Sequence, residues 1–108
     1  MKLRDQIETS LRAALKAREA PAIAALRSAL SAIDNAAAIA APPAWPPKLG
    51  VGAGEAERKV LSTDEVQAIL GAEIAERISA AAQYDRLGRP EEAARLRAEA
   101  GILAAHVG

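Results

Sequence analysis

Apolar residues along this chain recur at the three- and four-residue steps of an α-helix in four separate stretches, and none alternates as a strand does. Leu3, Ile7, Leu11, Ala14 and Leu15 predict a helix over about 3–18, with Arg12 and Lys16 on its opposite face. Ala20-Pro21 breaks it, and proline suits the first turn of a second helix, over about 22–40. The seam of that helix is Ile23, Leu26, Leu30, Ile33 and Ala37, and so short a connection predicts an antiparallel hairpin. A third helix is expected over about 62–87, opened by a capping box of Ser62 and Glu65. Val66, Ile69, Leu70, Ile74, Ile78, Ala81 and Tyr84 should face inward from it. Gly88 suits a left-handed helix terminus, and Pro90 starts a fourth helix, over about 90–105. That helix should turn Ala93, Leu96, Ala100 and Leu103 inward, with Glu91 and Glu92 in a first turn that favours acids.

Between the second and third helices the pattern lapses. Residues 41–61 hold too many prolines and glycines for a helix and show no strand alternation, so a long loop is expected. Trp45, flanked by Pro42, Pro43, Pro46 and Pro47, suits either a stiff extended ligand or, more commonly, a cover over an exposed apolar seam. Gly50, Gly52 and Gly54 follow no strand and precede no Lys-Ser/Thr pair, so they do not make a phosphate loop. The expected architecture is therefore all-α: one domain over 1–108, a four-helix arrangement of two antiparallel helical hairpins joined by a long Pro/Gly-rich loop.

Composition narrows the function classes. Hydrophobic residues make up 51%, mostly alanine, while aromatic residues reach only 2%, which argues against a sandwich or barrel. Fourteen basic and fourteen acidic residues leave no net charge, so nucleic-acid binding would need a local patch. The lack of cysteine removes disulfides and thiolate zinc sites and fits a reducing compartment. The charged start, MKLRDQIETS, does not read as a signal peptide, and the weakly polar run 36–47 is too short and proline-broken to span a bilayer. A cytoplasmic protein without cofactor or metal is expected.

No catalytic residues stand out. His106, the only histidine, lies near the end of the last helix and is expected to be solvated, with no orienting partner. On a helical wheel Glu73 and Arg77 fall inside the apolar arc of the third helix, four residues apart, and Arg27 and Asp34 edge the seam of the second. These positions predict a partly buried ionic cluster pairing Arg27 with Glu73 and Asp34 with Arg77, serving helix register more than chemistry. Arg86, Arg89, Arg95 and Arg97 gather near the last turn, and Arg12 and Lys16 lie on the first helix. Either group suits an RNA-phosphate contact or simply a solvated face, with Asp85, Glu91 and Glu92 interleaved.

Three segments carry a family resemblance: LRSALSAIDNA (Leu26–Ala36), VGAGEAERKVLSTDEV (Val51–Val66) and AEIAERISAAAQYDRLGRPEEAARLRAEAGIL (Ala72–Leu103). Their order resembles the YqeY-like family, grouped as GatB/YqeY with the tail of the tRNA-dependent amidotransferase B subunit. The most specific parts are Leu26-Arg27-x-x-Leu30 with Asp34-Asn35, and the acid–Arg helix followed by Leu87-Gly88-Arg89-Pro90. The resemblance implies the N-terminal helical lobe of that family. Full-length members continue through a Tyr-Leu-Pro-like turn into a second, three-helix lobe, whereas this chain stops at Val107-Gly108. It further implies kinship with glutamine-dependent carbon–nitrogen ligases, in which the tail contacts tRNA and leaves the chemistry to other parts. The expected partner is then tRNA or an amidotransferase-like protein. The alternative is a protein-interaction or homodimerising helical adaptor.

Overall fold

The computed structural model describes residues 2–40 and 60–108, with the side chains of residues 39 and 40 excepted; within them every regular element is an α-helix. Four helices follow one another: α1 (Leu3–Ala17), α2 (Ala20–Ala40), α3 (Thr63–Arg86) and α4 (Pro90–Ala104). The expected loop, with Trp45 and the three glycines, lies outside the described residues except for Val60 and Leu61.

The helix ends have local causes. Ser62 Oγ accepts from the Glu65 backbone N–H and Glu65 Oε1 accepts from the Ser62 N–H, both at 3.1 Å, closing the capping box at the start of α3. Gly88 takes φ +73° after α3, which a residue without Cβ adopts at little cost. The end of α1 is less regular. Arg18, not a glycine, occupies the left-handed conformation at φ 57°, and its N–H and that of Glu19 donate back to Leu15 and Ala14 carbonyls. The Glu19 carbonyl then accepts from Ile23, so α2 begins earlier than proline placement alone suggests.

Each helix contributes one large, fully buried side chain: Ile7, Leu26, Leu70 and Leu103. Leu3, Ile33, Val66 and several alanines complete the core around them. On α2 the buried positions are Ala22, Ala25, Leu26, Ala29, Ile33 and Ala37, so the seam is rotated toward alanine, and Ile23 and Leu30 sit at its edges. Small faces let the neighbouring helix axes approach closely. The α3–α4 pair packs most extensively, and α2 lies against α1, α4 and, to a lesser extent, α3. Ala81 and Ala93, both fully buried, lie outside the main core cluster. Two expected core residues are not core. Leu15 is 42% and Ile78 54% exposed, because each lies on the wide side of an apolar arc that one neighbouring helix cannot cover.

Two measurements test these causes. Leu70→Ala should cost about 2–5 kcal/mol in denaturant unfolding, the range for a large buried side chain. Arg18→Gly should instead stabilise by about 1 kcal/mol, since it relieves the left-handed strain at an exposed position.

Candidate functional site

The polar residues that interrupt the apolar arcs meet at one place. Arg77 on α3 donates from Nε to Glu99 Oε1 of α4 at 3.0 Å, and from Nη1 to Glu73 Oε1 at 3.2 Å and the Glu73 carbonyl at 3.1 Å. Ser28 of α2 donates its hydroxyl to the same Glu73 oxygen at 2.6 Å. The three charged side chains are only 10–14% exposed, and no buried side-chain polar atom among the described residues lacks a partner. One guanidinium thus holds two carboxylates, and α2, α3 and α4 converge on it.

The helices impose this arrangement. A four-residue step stacks Glu73 and Arg77 along α3, with Glu73 one turn nearer the N-terminus, the favourable order for such a pair. Glu99 was not singled out from the sequence. It lies between Ile102 and Leu103 on the wheel of α4, so the test that found Glu73 and Arg77 would have found it too.

The expected cross-pairings are corrected. Arg27 is exposed and makes no ion pair among the described residues, and Glu73 takes Ser28 in its place, because Ser28 lies one residue further round α2 toward α3. Asp34 does not meet Arg77. It accepts a two-pronged pair from Arg4 of α1, Nε to Oδ1 and Nη2 to Oδ2, both at 3.0 Å. Arg4 also reaches Glu8 at 3.0 Å, and Asp34 is the main reason its guanidinium is held above its usual pKa. Asp34 lies two turns beyond Arg27 on the same helix, which carries it away from Arg77 toward the start of α1.

At the α3–α4 turn the basic residues divide. Arg97 pairs with Asp85 and holds that carboxyl below its ordinary range. Arg89 pairs with Glu92 at 2.6 Å and stacks over the Tyr84 ring, 5.6 Å from its centre. The Glu92 carboxyl is lowered first by a hydrogen bond from its own backbone and then by Arg89. Arg86, Arg95, Arg12 and Lys16 are exposed and make no ion pair among the described residues. Any stability from Asp85 and Glu92 is present above the unfolded carboxylate range and is lost as pH falls through their lowered values. Contact with solvent at both pairs keeps it small.

Nothing in this geometry resembles a reacting centre. His106 is half-buried rather than solvated, lining a cleft of about 410 Å³ beside Ala14, Ala17 and Glu19, because the last turn of α4 folds over the α1–α2 connection. Its ring makes no hydrogen bond among the described residues, so it has no orienting partner for base catalysis. Among the described residues no three His, Cys, Asp or Glu side chains are placed to hold a metal, and no helix is long and apolar enough to cross a membrane. The fold and this site define an all-α, four-helix protein whose inner polar groups are spent on one another. Compared with known protein families, curated proteins and solved structures, the chain matches none.

Removing the central cation should be costly. Arg77→Ala leaves two little-exposed carboxylates facing each other and should lose about 3 kcal/mol in chemical unfolding, whereas Arg4→Ala, at a site 36% exposed, should lose under about 1 kcal/mol. Equal losses would show that Arg77 does not organise the interior.

Proposed function

We propose that the chain is a non-catalytic helical module that binds RNA, with the YqeY-like resemblance pointing to tRNA and to an amidotransferase-like partner. The supporting observation is that Arg12, Lys16, Arg86 and Arg95 are exposed cations without an ion partner among the described residues, a state they share with Lys2, Arg18 and Arg27. Arg89 and Arg97 are withdrawn from it by Glu92 and Asp85. In the same reading the helices form two antiparallel hairpins. The ion pairs that straddle each short connection support this: Arg4 with Asp34 across the first, Arg77 with Glu99 and Asp85 with Arg97 across the second.

Phosphate contacts make affinity fall with salt in proportion to their number. A tRNA titration should therefore give a slope of log affinity against log salt of about −2 to −4. Arg95→Glu and Arg12→Glu should each weaken binding and flatten that slope by about one. Failure to bind tRNA at low salt sinks this reading.

A second reading, a self-associating or protein-binding adaptor without RNA, is favoured by a different observation. Ile78 projects from α3 at 54% exposure, one turn from the exposed Ala75, on a helix whose other side is already packed.

A further inference from the structure

The outward side of α3 has a symmetry that the rest of the molecule does not use. At about 100° per residue, Asp64, Ala68, Ala75, Ala82 and Arg86 fall within about 20° of one line along the helix. Ala68, Ala72, Ala75 and Ile78 on this side are exposed. Asp64 and Arg86 close its two ends, both exposed and both without an ion pair among the described residues. Gly71 lies on the same side. A glycine weakens a helix interior relative to alanine, yet no atom lies within 4 Å of where its Cβ would stand, so no contact in the described chain requires it.

These positions are arranged symmetrically about Ala75. Asp64 with Arg86, Ala68 with Ala82, Gly71 with Ser79 and Ala72 with Ile78 all have residue numbers that sum to 150. A second copy of α3, laid antiparallel and crossing at Ala75, therefore brings Asp64 level with Arg86 of the partner subunit at both ends. The small side chains let the two axes come to the close end of the helix-packing range. A parallel copy would instead set acid against acid and arginine against arginine, so charge selects the antiparallel arrangement.

We propose that α3 is the interface of a two-fold antiparallel self-association, with Ala75 at the axis and Asp64–Arg86 pairs at its ends. This rests on the second functional reading and names its face and its partner, another copy of this chain. It also makes a different use of Arg86, which an RNA contact would need free.

Sedimentation equilibrium of the full chain tests it, from low micromolar to submillimolar concentration. The expected mass rises with concentration toward twice the 11.2 kDa of one chain. Ala75→Glu, which sets two like charges across the axis at an exposed position, should raise the dissociation constant at least about tenfold. Its helical circular dichroism should be unchanged, and Ala98→Glu on the exposed side of α4 should leave association as it was. Asp64→Lys and Arg86→Glu should each weaken association, and the double variant should restore it, since only an antiparallel pair exchanges these two residues. A strict monomer throughout overturns the proposal and the self-associating form of the reading beneath it, and leaves only an adaptor for a different protein. A dimer indifferent to Ala75→Glu and to the charge reversals overturns this face and leaves self-association standing.

Discussion

Arg77 joins three helices through one guanidinium. Its donors reach Glu99 on α4 and Glu73 on its own helix, and Glu73 carries the link on to Ser28 of α2. Placing one cation and two carboxylates where only a tenth of each is exposed costs desolvation, which is recovered only when every member keeps its partners. The constraint that follows is geometric. The α3–α4 pair can slide or rotate little without leaving a charge unmatched, and α2 is positioned against that pair by the same carboxylate. An interior of alanine and leucine alone would tolerate several neighbouring registers.

That constraint matters because the apolar packing is thin. Each helix sends one fully buried large side chain to the centre, joined by Leu3, Ile33 and Val66, and much of the remaining buried surface is alanine, whose small side chains select only weakly among helix offsets. Close approach of alanine faces also keeps the bundle narrow. Apolar arcs wider than a single contact then run past their neighbours, and Ile78 and Leu15 emerge on the outside. The exposed side of α3 is thus a consequence of how little of that helix the alanine contacts cover.

The same economy bears on function. Ser28, Glu73, Arg77 and Glu99 are committed to one another, so the innermost polar groups serve the packing of the helices. The two proposals draw on different surfaces: exposed cations on α1, α4 and the end of α3, and the small-residue side of α3. Arg86 belongs to both, so the proposed RNA contact and the proposed self-association would compete for it.

Helix number, class and approximate ends were legible in the chain, because they depend on contacts a few residues apart: the capping box at Ser62, the glycine after α3, and Pro90 in the first turn of α4. The placement of polar residues within apolar arcs also showed that Glu73 and Arg77 would be drawn inward. Partners were not legible. Asp34 chose Arg4 over Arg77, and Glu73 took Ser28 rather than Arg27, because a helical wheel gives the direction of a side chain but not the height or rotation of the helix opposite. Those two quantities are set by alanine faces whose closeness no periodicity encodes. The sequence by itself therefore determined which residues form helices and that Glu73 and Arg77 turn inward, while it left Glu99 unmarked and placed the exposed Arg27 with them. Only the packed structure decided which charges meet and which side of α3 is left outside.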